Sequence, residues 1–197
     1  MLTLQSATRA ETWAKNSRFL AEALPVTSPE EAKELWRWRK ENYDNGGHIV
    51  YAFATGAQQN ILGCSDDGEP SGTAGRPVLA VLKGSGITNC LITVARWFGG
   101  TKLGTGGLVH AYGEAAKAAL AEAKCSELIP ECRVSAALPY ALFEVCKRKF
   151  AEFGAVIENE EFTSGIIVTL RLPETQLPGL QHTLKELGSG RIVMKTV

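Results

Sequence analysis

Two short segments near the start of the chain alternate apolar and polar residues, about Thr8 to Trp13 and Arg18 to Leu24, and read as strands with one buried face. Ser28-Pro29-Glu30-Glu31 then predicts a helix start. The Ser28 hydroxyl can accept from the unpaired N–H groups of the first turn, Pro29 suits a position whose N–H has no partner, and Glu31 completes a capping box. That helix should run to about Tyr43 and bury Ala32, Leu35 and Trp36, with Arg37, Arg39 and Lys40 largely outward. Asn45-Gly46-Gly47 breaks the pattern, and His48 to Ala54 and Asn60 to Cys64 predict a strand pair across a polar turn. Pro77 and Gly84 bound a further helix that buries Val78, Leu79, Val81 and Leu82. Cys90 to Ala95 is apolar on both faces, like a central strand. A glycine-rich loop, Phe98 to Gly107, leads from it into an alanine-rich helix, Leu108 to Lys124, whose small side chains permit close packing on a sheet.

The pattern restarts after Pro130. Cys132 to Leu138 reads as a strand, Tyr140 to Phe153 as a helix, and Ala155 to Phe162 and Ile166 to Leu172 as strands. Gln176 to Leu187 carries Leu177, Leu180, Leu184 and Leu187 on one helical stripe, and Arg191 to Lys195 is a last strand. The order βαββαβ in so short a span is the ferredoxin-like arrangement. Charge restarts too: 13 acids and 13 bases precede Pro130, and 8 of each follow Ile129. An α+β protein of two domains is therefore expected, 1–129 and 130–197.

With 197 residues, the chain can bury a real core without disulfides or a structural metal. The longest uncharged stretch, Asn45 to Ser65, contains Asn45, His48, Gln58, Gln59 and Asn60, which hydrocarbon would not tolerate, and the N-terminus lacks the apolar run of a signal peptide. A cytoplasmic protein with no membrane contact is expected. The five cysteines form no CxxC pair and look like buried thiols of a reducing compartment. His48, His110 and His182 have no ligand-like spacing to any of them, and no cofactor motif is present, so neither a metal nor a cofactor is expected.

Net charge is zero, which argues against non-specific coating of nucleic acid. The distribution is more informative. Ser71 to Gly113 contains no Asp or Glu, while Arg76, Lys83, Arg96 and Lys102 lie within it, and a triple-acid turn (Asp66, Asp67, Glu69) stands directly before it. Between the strand ending at Ala95 and the helix after Gly107 lie Gly99, Gly100, Gly104, Gly106 and Gly107, with Thr101, Lys102 and Thr105 among them. A glycine-rich strand-to-helix turn exposes N–H groups at the positive end of a helix, which suits an anion. The spacing fits neither a Walker A loop nor a GxGxxG turn, and glycines also serve tight turning and close packing alone. The acids could hold magnesium, act as a base, cap the following helix or pair with Arg76. His48 could activate Ser71, though a histidine at a strand start also has structural uses. Trp97 or Phe98 could stack a base, or belong to the core.

SDDGEPSGTAGRP (Ser65 to Pro77) and RWFGGTKLGTGGLV (Arg96 to Val109) resemble the signature of the Impact family in its bacterial, YigZ-like form. Lys15-Asn16-Ser17-Arg18-Phe19 is similar to that family's KxSRF segment, and His48 stands where the family has a strand-initial histidine. The tail from Cys132 resembles the small domain that follows in bacterial members. Where the family often has a cysteine two residues after that histidine, this chain has Val50, so the resemblance carries no thiol chemistry there. The resemblance implies an N-terminal domain like the left-handed βαβ domain of a small-subunit ribosomal protein, and a tail like the last domain of elongation factor G. It also implies a regulatory role in translation under stress, as in eukaryotic relatives. The leading expectation is a non-enzymatic protein that contacts RNA, the ribosome or a translation-associated protein. Its anion-binding face is expected to draw on Lys15, Ser17, Arg18, Ser71, Thr73, Arg76, Arg96, Gly99, Gly100, Thr101, Lys102, Gly104 and Thr105. A metal-assisted enzyme using Asp66, Asp67 or Glu69 on a small phosphorylated or nucleotide substrate, and a purely protein-binding regulator, are the alternatives.

Overall fold

The computed structural model describes residues 1–42 and 47–196. They fall into two compact units, Met1–Leu128 and Ile129–Val197. The N-terminus enters as a three-residue strand, β1 (Leu2–Leu4). Next come β2 (Thr8–Ala14) and β3 (Ser17–Pro25), joined by a two-residue hairpin in which Lys15 (φ +42°) and Asn16 (φ +66°) both lie in the left-handed region. Such a turn matches the right-handed twist of the strands it joins.

Helix α1 (Pro29–Asn42) starts as its sequence requires, with the Glu31 N–H donating to Ser28 Oγ at 3.2 Å. The returning arm differs from a simple capping box, because the Glu31 carboxylate accepts from the N–H and the hydroxyl of Thr27 instead. Tyr43, Asn45 and Gly46 lie outside the described residues. One expectation for this helix fails: Arg39 is buried, not outward, and its Nε donates to Glu22 on β3 at 2.8 Å. A charge can sit there because its partner is buried with it.

The unit continues with β4 (Gly47–Thr55), β5 (Ile61–Ser65), α2 (Gly75–Gly84), β6 (Cys90–Trp97), α3 (Gly104–Ala121) and β7 (Cys125–Glu127). Five strands form one antiparallel sheet in the order β2-β3-β6-β4-β5, while β1 pairs with β7. The chain therefore crosses over twice, from β3 through α1 to β4 and from β5 through α2 to β6. Alternation along the strands divides the core. Phe19, Ala21, Val50, Ala52, Ile92 and Val94 face α2 and α3, with Val78, Leu82, Ala115 and Tyr112. Leu24, Phe53 and Leu91 face Ala32 of α1.

The start of α3 is four residues earlier than the glycines alone indicate. Gly has a poor helix propensity, but Leu108, Ala111 and Tyr112 of the following turns pack on the sheet, and that packing carries the helix back through the glycines. The short β1 and β7 have too few residues to show an alternation and are not legible in the sequence.

The second unit runs β8 (Glu131–Leu138), a short 3-10 turn, α4 (Phe143–Glu152), β9 (Val156–Phe162), β10 (Ile166–Pro173), a second 3-10 turn, α5 (Leu177–Leu187) and β11 (Met194–Thr196). Its antiparallel sheet has the order β11-β8-β10-β9. Val134, Ala136, Val168 and Leu170 pack on Phe150, Leu180 and Leu184. The last strand is shorter than expected because Gly188 to Arg191 close the end of α5, with the Gly190 N–H donating to the Lys185 carbonyl at 2.7 Å. Cys90 and Cys146 are buried, but Cys64, Cys125 and Cys132 are only half-buried, and no cysteine forms a disulfide. Burial pushes the Cys90 thiol up to about 12.

Ile129 is 58% exposed at the junction of the units. Cleavage beside it should release two fragments that each retain cooperative unfolding. Limited proteolysis that finds no site there, or fragments with unfolded spectra, would refute the boundary.

Candidate functional site

The turn after β5 carries three acids, and each is engaged differently. Asp66 folds back on the start of α2. Its Oδ1 accepts from the N–H groups of Ala74 (3.1 Å) and Gly75 (2.8 Å), and its Oδ2 from that of Gly72 (2.8 Å). A helix start gathers unpaired N–H groups and the positive end of the dipole, so a carboxylate is favoured there. Burial alone would raise the Asp66 pKa, but the three N–H bonds and the Arg76 charge outweigh it and hold the group below its ordinary value.

Asp67 ties α1 to the sheet. Its carboxylate meets Lys40 Nζ at 2.5 Å and accepts from the Ile49 N–H at 2.8 Å. The carbonyl oxygen of Asp67 lies 2.6 Å from His48 Nδ1. A carbonyl can only accept, so Nδ1 carries the proton, and Nε2 is the acceptor in the neutral ring.

Glu69 turns inward, with a side chain only 4% exposed. Its Oε1 accepts from Arg96 Nη1 and from the Tyr112 hydroxyl, both at 2.7 Å. Burial raises the Tyr112 pKa well above the ordinary phenol range, with the bond to Glu69 adding to it, so the hydroxyl remains a neutral donor.

His48, Arg96 and Phe19 are paired across adjacent strands and so share one face of the sheet. The Arg96 guanidinium lies between two rings, 5.8 Å from Phe19 and 5.6 Å from Phe98. The chain then leaves β6. Gly99 presses against the β2–β3 hairpin so closely that a Cβ there would stand 2.1 Å from the Asn16 carbonyl oxygen. Its N–H also donates to Ser17 Oγ at 3.2 Å. At Gly104 (φ +74°) the backbone takes a conformation that side chains resist, and α3 begins. Leu103 at its N-cap makes no side-chain hydrogen bond, no other described side chain accepts from its first N–H groups, and its first turn holds no acid.

A cleft of about 470 Å³ opens at this point. His48, Glu69 and Arg96 form its floor, and Lys102, Gly104 and Thr105 border it from the loop and the helix start. Phe98, Leu103, Leu108 and Pro70 supply apolar surface.

The sequence-derived anion face is thus only partly assembled at the cleft. Arg96, Lys102, Gly104 and Thr105 border it, together with His48. Arg18 does not share that face: it is one residue from Phe19 and so points to the other side of the sheet, over Trp97 at 4.5 Å and against Glu11 at 2.7 Å. Trp97 goes with it, whereas Phe98 stays 56% exposed at the cleft edge. Ser17 is fully buried and supports the loop through Gly99. Thr73 donates to the Pro70 carbonyl at 2.6 Å, and Ser71 and Arg76 are exposed at the start of α2. Lys15 is at the hairpin tip, and Gly100 and Thr101 are exposed in the loop. The acids diverge, and among the described residues no three His, Cys, Asp or Glu side chains converge as a metal ion requires. Tyr112 was missed, although it stands four residues after Leu108 and so shares the face of α3 that packs on the sheet.

A family model described as the Impact N-terminal domain matches residues 15–120, and one described as a domain of unknown function (DUF1949) matches 137–191. The chain belongs to the Impact family. It is 31% identical over 196 residues to an IMPACT family member of Haemophilus influenzae, spanning 98% of this chain and 95% of that protein. It is 37% identical over 181 residues to an IMPACT family member of Thermus thermophilus, spanning 90% and 97%. Protein IMPACT of Mus musculus is 32% identical over 101 residues, 49% of this chain and 31% of that protein. A solved structure described only as that of a hypothetical protein superposes with a TM-score of 0.79 at 28% identity, covering 100% of this chain and 96% of that one. The mixed α/β arrangement above is thus the two-domain Impact fold. Every residue bordering the cleft lies within the span matched by the Impact N-terminal domain. No described helix is long and apolar enough to cross a membrane.

Asp66→Ala should cost about 1–2 kcal/mol at pH 7, the usual value of a lost helix cap. Because the folded-state pKa lies below the ordinary value, this stabilisation is full at neutral pH and is lost as pH falls through and below about 4. Denaturant titrations of both proteins should converge in acid. A constant difference at every pH would show that Asp66 acts through packing instead.

Proposed function

We propose that this protein is a binding protein of translational regulation, and that it engages a phosphate-bearing partner, RNA or the ribosome, at the cleft of its first unit. The observation that carries the reading is the glycine-rich start of α3, which has no side-chain cap among the described residues and opens onto the same cleft as Arg96 and Lys102. Free N–H groups at the positive end of a helix and a neighbouring cationic side chain, Lys102, are the ordinary ingredients of a phosphate site, the Arg96 guanidinium being already paired with Glu69. The fold around it is that of the Impact family, which the sequence resemblance links to translational control.

The second unit does not offer the same chemistry. On the side of its sheet away from the helices, Arg133 and Arg171 both pair with Glu158, and Arg171 also pairs with Glu131. The charges cancel there, and the β8 and β10 residues of that side (Arg133, Ser135, Ala137, Ile167, Thr169, Arg171) include no aromatic for base stacking. A metal-assisted enzyme finds less support, because Asp66, Asp67 and Glu69 are each committed to separate internal partners.

At low ionic strength, sulfate, phosphate and a short RNA should each raise the melting temperature. A ligand at a hundred times its dissociation constant gives about 2.7 kcal/mol. Lys102→Ala should weaken that shift without changing the circular dichroism, since Lys102 is exposed and makes no ion pair among the described residues. RNA affinity should also fall linearly with the logarithm of salt concentration. If anions and RNA leave the melting curve unmoved, the phosphate reading is wrong and a protein partner becomes the better account of the cleft.

A further inference from the structure

A phosphate site explains one wall of the cleft and leaves the other unexplained. Glu69 borders the cleft with a side chain only 4% exposed, and while its Oε1 is used by Arg96 and Tyr112, its Oε2 has no hydrogen-bond partner among the described residues. His48 borders the same space and, with Nδ1 committed to the Asp67 carbonyl, presents Nε2 as an acceptor. Arg96 is nine-tenths buried and leaves its Nε without a partner. A wall built only for phosphate would be all donors. Here the Glu69 charge already cancels that of Arg96, so the cleft holds donors at the start of α3 and at Lys102, and acceptors at its floor. The exposed ring of Phe98 flanks them.

We propose that the cleft takes a single ribonucleotide. Its 5′-phosphate sits on the N–H groups at the start of α3, its ribose hydroxyls donate to Glu69 Oε2 and His48 Nε2, and its base lies against Phe98. A carboxylate is a suitable acceptor for a ribose hydroxyl, and a contact with the 2′-hydroxyl distinguishes RNA from DNA. The size agrees, since about 470 Å³ lies within the ~300–1,000 Å³ of small-molecule sites. A strand threaded through the cleft would carry a phosphodiester on both sides of the ribose, so the occupant is a free nucleotide, with both hydroxyls donating, or the 5′-phosphorylated end of an RNA, whose 3′-oxygen is esterified and which donates through its 2′-hydroxyl alone. The proposal rests on the phosphate reading of the cleft given above.

Calorimetric titration of the full chain tests it with inorganic phosphate, adenosine 5′-monophosphate, its 2′-deoxy counterpart, and one short RNA with and without a 5′-phosphate. The ribonucleotide should bind about tenfold tighter than the deoxynucleotide, because a bound deoxynucleotide would shut water away from a carboxylate oxygen without giving it a donor. It should also bind tighter than inorganic phosphate. Glu69→Gln keeps an acceptor for Arg96 and Tyr112 but removes Oε2, and should erase the ribose preference while phosphate still binds. If that variant does not fold, the comparison on the natural protein decides alone. Preference for the 5′-phosphorylated RNA identifies the RNA end as the source, and equal binding of the two RNAs beside tight free nucleotide identifies the free one. Equal affinity for ribo- and deoxynucleotide, or for nucleotide and inorganic phosphate, overturns the inference and leaves the phosphate cleft standing. No binding of phosphate, nucleotide or RNA overturns both.

Discussion

Glu69 connects three elements that are distant in sequence. One carboxylate oxygen, buried after the turn that follows β5, accepts at 2.7 Å from Arg96 at the end of β6 and from Tyr112 in the third turn of α3. Such a buried charge pair adds little net stability over an apolar substitute, yet removing one partner leaves the other uncompensated and costs about 3–5 kcal/mol. Its consequence is therefore geometric. The turn, the strand end and the helix cannot separate without stranding a charge, and the cleft between them keeps its walls. Phe19, under Arg96 and edge-on to Tyr112 at 5.2 Å between ring centroids, completes the support.

The first unit has two small-residue helix starts with the same local chemistry and opposite fates. At α2 the anion is the protein's own Asp66, held by three N–H groups. At the start of α3 no side chain among the described residues accepts a hydrogen bond from the N–H groups of Gly104 to Gly107. Asp66 satisfies its helix from a turn nine residues upstream of Gly75, whereas Gly99 closes the α3 loop onto the hairpin by its lack of a side chain. The glycines thus serve shape in one place and access in another.

Much of this was legible in the residues. The βαββαβ order of the second unit follows from the leucine stripe of α5 and the alternation of β8 and β10, because each element has only one face to bury. The apolar run of β6 marks it as central. What escaped depended on partners that no local pattern contains. Arg39 is buried because Glu22, seventeen residues earlier, is buried opposite it. Arg18 and Arg96 both look basic and near glycines, but the register Phe19 to Arg96 places them on opposite faces. Asp66, Asp67 and Glu69 look like one cluster, while the turn that contains them points each in a different direction. The glycine-rich loop and the acid-free segment around it did locate the cleft. They did not show its acceptor wall, since His48 reaches it only through the pairing of β4 with β6, and Glu69 only through the inward turn after β5.

Backbone amide resonances during a titration with inorganic phosphate test the central claim most directly, because they report on each helix start separately. The account expects the N–H signals of Gly104 to Gly107 to move together with increasing phosphate, and those of Gly72, Ala74 and Gly75 to stay in place, their carboxylate already present. Shifts centred on the start of α2, or spread over the second unit with Gly104 to Gly107 unmoved, would contradict it.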